Sequence, residues 1–260
     1  MFIYNSVGRG GKIKFQQYSD WIWDARFEIT DTTWHETKTL QHYSMPMVPD
    51  CKGYACYWYH SLGSFYAVEH GLYCSEQKNS VLDFVFPKLH RLRDNTITKN
   101  ITKCIQENLP SGTTKKLLRS FSSKLIRKGG ISELAAHRDI GFFDSVAQSG
   151  HSAGAGQDYY IDRSNIATAL PGGLALNSWN DVKGSAFPPR SSCLGLDGST
   201  HAENMLSKIF VISHEDFHPH GVLCPILRCC LASLLMYFPI TEKELGTQHI
   251  LVVTIRNAAI

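Results

Sequence analysis

The 260-residue sequence predicts an α+β fold: a mostly helical domain with a small N-terminal antiparallel β-sheet or hairpin, plus a C-terminal extension. Three observations predict it. Residues 10–50 are rich in aromatic and Thr residues and alternate in places. Apolar residues recur at helical spacing within 54–165. A stretch rich in Gly, Pro, Ser and Asn, residues 170–198, then separates this region from the last apolar segments. The expected division is a main domain at 1–165, a linker at 166–199 and an extension of unassigned role at 200–260.

Taken in order, Lys12-Ile13-Lys14-Phe15 alternates as a strand does. Residues 21–29 and 34–47 read as β-structure, with Thr30-Asp31-Thr32 as the turn between them. Helices are expected over 54–72, 80–92, 95–108, 142–148 and around 157–165. A basic helix is expected within 111–128, where Leu117, Leu118, Phe121, Leu125 and Ile126 recur at three- to four-residue steps. Thr113 or Thr114 would cap it and Gly129-Gly130 would end it. Residues 225–238 read as a helix and 250–255 as strand-like. No internal repeat is present.

Composition narrows the classes further. With 43% hydrophobic and 19% charged residues, the chain can bury a core, which excludes collagen-like, coiled-coil and mostly disordered classes. Its longest apolar stretch, 229–237, falls well short of the about 20 residues a membrane span needs, so no membrane partner is expected. Nothing at the N-terminus reads as a signal peptide, so the eight cysteines are read as free thiols. Cys224, Cys229 and Cys230 share a region with His214, His218 and His220. Those are zinc-ligand types without finger spacing, so buried thiols on a helix are the favoured reading. No metal or cofactor is expected.

Charge is unevenly spread. The net charge is +3, yet 111–128 carries Lys115, Lys116, Arg119, Lys124, Arg127 and Lys128 with no acid. A solvated charged face is the bland reading; an acid-free run also suits a polyanion. Lys115, Lys124, Arg127 and Lys128 are therefore the candidate DNA-binding residues.

Further candidates are scattered along the chain. Arg9 lies in Val7-Gly8-Arg9-Gly10-Gly11, where glycine lets the backbone approach a ligand closely. Lys38 lies in Glu36-Thr37-Lys38-Thr39-Leu40, before Met45-Pro46-Met47. Lys116 and Arg119 share a helix face. Gly150-His151-Ser152 is followed, nine residues after the His, by Tyr160, itself preceded by Tyr159. Each feature alone is a loop, a turn or a packing pair.

Their order and spacing together resemble the catalytic domain of tyrosine recombinases, the phage-integrase-like superfamily. The wording "VGRGGKIKF" and "GHSAGAGQDYYIDR" is most similar to eukaryotic Crypton-type mobile-element recombinases. The resemblance covers roughly residues 5–165. It implies DNA strand cleavage and rejoining, as in site-specific recombination or DNA integration, with Arg9, Lys38, Lys116, Arg119, His151 and Tyr160 catalytic. The implied partner is double-stranded DNA, with self-association in a synaptic tetramer, and the location is nuclear in a eukaryote and otherwise intracellular.

The chemistry explains those residue types. Two guanidinium groups, Arg9 and Arg119, can clamp the non-bridging oxygens as charge builds there. Lys38 can protonate the departing 5′ oxygen. His151 can hydrogen-bond the phosphate or help deprotonate the tyrosine. The Tyr160 phenol attacks phosphorus and keeps the broken strand as a 3′-phosphotyrosine, so rejoining needs no ATP and no metal.

The chain departs from the family pattern in places. Lys116 stands where His is commonest, and Lys12 where Glu is frequent. The interval from Arg119 to His151 is long, which predicts an insertion around 129–139. Only eight residues precede Arg9, where family members carry a DNA-clamping domain. That implies an N-terminally truncated domain and keeps a second expectation open: a catalytically inactive DNA-binding remnant of a mobile-element recombinase.

Overall fold

The three strands are β1 (Trp21–Asp24), β2 (Ile29–Trp34) and β3 (Tyr43–Met47), and they form one antiparallel sheet in the order β1-β2-β3. The helices are α1 (Trp58–Phe65), α2 (Pro87–His90), α3 (Asp94–Glu107), α4 (Ser123–Ala136), α5 (Thr200–Phe210), α6 (Leu223–Met236), α7 (Phe238–Leu245) and α8 (Ile250–Ala259). Two 3-10 segments, Gly10–Phe15 and Tyr18–Asp20, precede β1, and a π-helical turn, Tyr66–His70, continues α1. This computed structural model describes residues 10–25, 29–34, 43–48, 58–70, 84–114, 122–137, 140–141, 171–172, 199–210 and 223–260. The mostly helical α+β class is as the sequence predicts.

The chain divides into two compact units, each discontinuous in sequence. One takes Met1–Asp20, Asp31–Val48 and Asp83–Asn177; the other takes Trp21–Thr30, Pro49–Leu82 and Ser178–Ile260.

In the first unit, Gly10–Phe15 is a 3-10 helix, where strand-like alternation was expected. Its period of three puts Ile13 and Gln16 on one buried side and Lys12 beside Phe15 on another. Gln16 then holds both neighbours of the turn. Its side-chain amide donates to the Thr33 carbonyl at 3.2 Å, and its carbonyl accepts from Val85 N at 2.9 Å. Residues 84–86 are not helical, contrary to the expected helix at 80–92: Phe84 bridges Gln17, and helix α2 starts only at Pro87. Proline disfavours helical geometry at the preceding residue but is well placed at a helix start. Helix α3 occupies the expected place, with Ile97 buried and Thr98 and Thr102 bonding back to the preceding turn.

Thr30-Asp31-Thr32 is the interior of β2, not a turn. All three residues are buried, with Thr30 and Thr32 wholly inaccessible. Their β-branched side chains suit a strand, and the hydroxyls find partners. Thr32 Oγ1 donates to the Met45 carbonyl across the sheet, and Thr30 Oγ1 pairs with the Tyr59 hydroxyl, both at 3.2 Å.

The second unit is a helical assembly whose centre is α6 against α1. Gly63 on α1 makes that contact possible: a Cβ there would lie 3.1 Å from Cys230 Cβ and 3.2 Å from the Cys230 carbonyl and Leu234 Cδ1. Trp21 packs on Trp58 and Tyr66 on Phe210, each edge to face. His60 meets the Tyr237 ring edge-on at 5.8 Å, and burial holds its pKa below the usual imidazole value. Cys229 and Cys230 are buried free thiols on α6, and burial pushes the Cys230 thiol well up, away from reactive thiolate. Arg228 of α6 bonds Glu203 of α5 through Nε at 3.1 Å, and Arg256 of α8 pairs with Glu242 of α7.

Two expectations are corrected here. The helix expected at 225–238 ends at Met236, and the axis turns 65° into α7, with Pro239 near the new helix start. Residues 250–255 are helical, not strand-like. Their β-branched composition suggests a strand, but Leu251, Val252, Ile255 and Ala258 fall on one helical face and bury it. His249 Nδ1 caps that helix by accepting from Leu251 N at 3.2 Å. No single helix among the described residues is long and apolar enough to cross a membrane.

The close approach at Gly63 gives a direct test. Gly63→Ala forces Cys230 and Leu234 to give way, and overpacking of this kind costs about 1–3 kcal/mol. The urea midpoint of the variant should fall, while Gly112→Ala, with open space around it, changes only backbone strain at its left-handed φ of 99°. An unchanged midpoint for Gly63→Ala would show that the α1–α6 contact is looser than described.

Candidate nucleic-acid interface

Of the candidate residues, Arg9, Lys38, Lys115, Lys116, Arg119, His151 and Tyr160 lie outside the described residues, as do Tyr159 and the histidines His214, His218 and His220. The expected helices at 142–148 and 157–165 lie outside them too. Lys124, Arg127 and Lys128 are described. The described segments nearest those residues in sequence are Gly10–Phe15, which follows Arg9, and α4, which follows Arg119.

Arg9 is joined directly to the 3-10 segment Gly10–Phe15, which is tied to the start of α3. Lys14 Nζ reaches Asp94 Oδ1 at 2.8 Å and donates to the Leu92 carbonyl at 3.0 Å, and Lys12 Nζ stands 3.8 Å from Asp94 Oδ2. Both ammonium groups also lie over the Phe15 ring, at 4.9 and 4.8 Å from its centroid. His90 stacks on Phe84 at 3.7 Å and meets Phe15 edge-on. Gly11 permits the approach: a Cβ there would lie 2.9 Å from Asp94 Cβ and 3.3 Å from its Cα. The hydrogen bond from Lys14 is the main reason the Asp94 carboxyl sits below the usual carboxylate pKa; burial opposes the shift, and the charges of Lys14 and Lys12 add to it.

The basic helix differs from its expected form. Thr113 belongs to a turn, donating to the Pro110 carbonyl at 2.7 Å beside left-handed Gly112. Helix α4 begins after Ser122 and runs through Gly129-Gly130 to Ala136. Glycine costs about 1 kcal/mol in a helix interior, but the buried stripe Ser123, Gly130 and Leu134 continues across the pair and carries the helix on. Ser123 N donates to Thr102 Oγ1 at 3.0 Å, which sets the first turn of α4 on α3. Lys124 and Lys128, one turn apart, are exposed, whereas Arg127 is half-buried beside the packed stripe.

The acid-free run at 111–128 is preceded in the chain by further cations. Lys88, Arg91 and Arg93 are exposed at the α2–α3 corner, and Lys99 and Lys103 are exposed on α3. A wider charge window finds them. Residues 84–137 hold 11 Lys and Arg against 3 Asp and Glu, a net +8, which leaves −5 for the rest of the chain. Among the described residues no group of three or more His, Cys, Asp or Glu is placed to hold a metal ion.

Comparison of the chain with protein-family models, with curated proteins and with solved structures finds no match.

The Lys14–Asp94 tie predicts a pH effect of defined sign. Because the folded carboxyl has the lowered pKa, its contribution is present above the unfolded value of 3.8 and is lost as pH falls through the folded value. Asp94 is nearly half exposed, so the contribution is small, about 0.2–1 kcal/mol. Asp94→Asn should speed amide exchange across Gly10–Phe15 near neutral pH and leave little further loosening below about pH 4. Exchange in Asp94→Asn that matches the unsubstituted chain at both pH values would refute the tie.

Proposed function

We propose that the chain cleaves and rejoins strands of double-stranded DNA through a 3′-phosphotyrosine, with residues 1–165 as a tyrosine-recombinase-type catalytic domain and 200–260 as its C-terminal extension. The observation that carries the reading is the ordered set Arg9, Lys38, Lys116-x-x-Arg119, Gly150-His151 and Tyr160 nine residues on. It is supported by the anchoring of Gly10–Phe15, the segment that follows Arg9, on the start of α3. It is supported also by Lys124 and Lys128, exposed on the helix that follows Arg119 in sequence.

The reaction uses no external oxidant or energy source. The Tyr160 oxygen forms a bond to phosphorus as the bond from phosphorus to the 5′ oxygen breaks. The phenolic proton passes toward His151, and Lys38 supplies a proton to the departing 5′ oxygen. Arg9 and Arg119 hold the non-bridging oxygens, with Lys116 as a further cation. Rejoining reverses each step. Recombination additionally needs a synaptic tetramer of such chains, so self-association belongs to the proposal. A second reading, DNA binding without turnover, is favoured by one observation: the exposed cations of α4 can contact phosphate without any part of the six-residue constellation.

A nicked suicide duplex separates the two. The chain should form a covalent protein–DNA adduct that vanishes in Tyr160→Phe and persists in Tyr159→Phe. On the helix expected around 157–165, adjacent residues would point about 100° apart, so only one of the two would face the phosphate. The reverse pattern would move the nucleophile by one residue. No adduct, with duplex binding retained, would leave the non-catalytic reading.

A further inference from the structure

The strongest feature outside the constellation is the exposed side of α2, α3 and the corner between them. We propose that this surface is a sequence-independent docking face for the phosphate backbone of duplex DNA, formed by Lys88, Arg91, Arg93, Lys99 and Lys103. The proposal rests on the reading that DNA is the substrate, but it assigns affinity to residues that take no part in strand cleavage.

Helix geometry places the cations. Ile97 is buried and Ile101 and Ile105 are half-buried, so they mark the packed side of α3. Lys99 and Lys103 stand on the opposite side, one turn or about 6 Å apart along the axis. Asn95, Thr96 and Asn100 are exposed with them and add uncharged hydrogen-bonding groups for phosphate oxygens. Just before α3 in the chain, Lys88, Arg91 and Arg93 are exposed within six residues of one another.

The acids within this stretch do little to cancel the charge. From 84 to 106 the chain holds five Lys and Arg and a single acid, Asp94. That acid is bridged by Lys14 and Lys12 from the 3-10 segment, so its charge is met from outside the helix. Glu107, at the far end of α3, meets Lys103 at 3.6 Å in a pair exposed on both sides, which contributes little.

The kind of polyanion follows from what accompanies the cations. Surfaces for single strands interleave basic residues with aromatic stacking platforms. Along 84–114 the Phe, Trp and Tyr residues are Phe84 and Phe86, and neither is exposed. Membrane-surface helices pair basic residues with a large apolar side for the lipid. Among the described residues of α2 and α3 no large hydrophobic residue is exposed. A face of cations and small polar groups alone matches backbone contact to a duplex, where affinity comes from phosphate neutralisation.

The test uses the full chain and measures affinity for a duplex of about 30 base pairs between about 50 and 200 mM salt. Each phosphate contact contributes about −0.9 to the slope of log K against log salt. Lys99→Gln with Lys103→Gln should flatten the slope by about 1.8, and all five changed to Gln by up to about 4.5, equally for unrelated sequences. Circular dichroism identifies variants that keep the fold; the double variant, changed only on the exposed side of α3, stands if the five-fold variant does not fold. An unchanged slope in the folded double variant overturns the proposal. Tighter binding of the unsubstituted chain to a single strand, or to phosphatidylserine vesicles, also overturns it. Tyr160→Phe should leave the slope unchanged. A flattened slope in a chain that forms no covalent adduct would keep this surface and remove the cleavage reading, so the two fail separately.

Discussion

The ion pair between Lys14 and Asp94 ties together the parts of the first unit that flank the candidate site. Asp94 is the first residue of α3, so its carboxylate serves the helix N-terminus as well as the lysine. Lys14 also holds the Leu92 carbonyl at the end of the α2–α3 corner. The close approach depends on Gly11, since any side chain there would collide with Asp94. One acid thus fixes the chain that continues from Arg9, begins α3 and meets the charge of two lysines. Helix α4 is then set on α3 through Ser123 and Thr102, which brings the exposed Lys124 and Lys128 into the same unit.

The second unit is held by a different kind of contact. There α6 lies against α1 because Gly63 leaves room for Cys230 and Leu234, and the buried hydroxyls of Thr30 and Tyr59 pair with each other. Charge follows the same division. Counted over the printed boundaries, the first unit carries 17 Lys and Arg against 11 Asp and Glu, and the second 9 against 12. A net +6 on one unit and −3 on the other concentrates any attraction for a polyanion on the first.

Legibility in the sequence followed the strength of the local pattern. Helix α3 was readable because its apolar spacing and its ends agree. Helix α8 was not, because Ile, Val and Thr favour strands and only the burial of Leu251, Val252, Ile255 and Ala258 against the rest of the unit makes a helix the better solution. The Thr30-Asp31-Thr32 triplet has the composition of a turn, and its place inside β2 depends on partners at Tyr59 and Met45 that no local window contains. Gly129-Gly130 reads as a stop for the same reason: the packed stripe of α4 that overrides it is tertiary. Of the site, the ordered constellation was visible in sequence, whereas Lys88, Arg91 and Arg93 were passed over because they are separated by apolar residues and a half-buried His90.

The central claim is that residues spread from Arg9 to Tyr160 meet at one phosphodiester. The most direct measurement is an experimental structure of the chain bound to a nicked duplex. The account predicts side chains of Arg9, Arg119 and His151 within hydrogen-bonding distance, about 3 Å, of oxygens on the same phosphate, with the Tyr160 hydroxyl facing its phosphorus. Arg9 on the face of the domain opposite His151, with the phosphate touching only one of them, would contradict it.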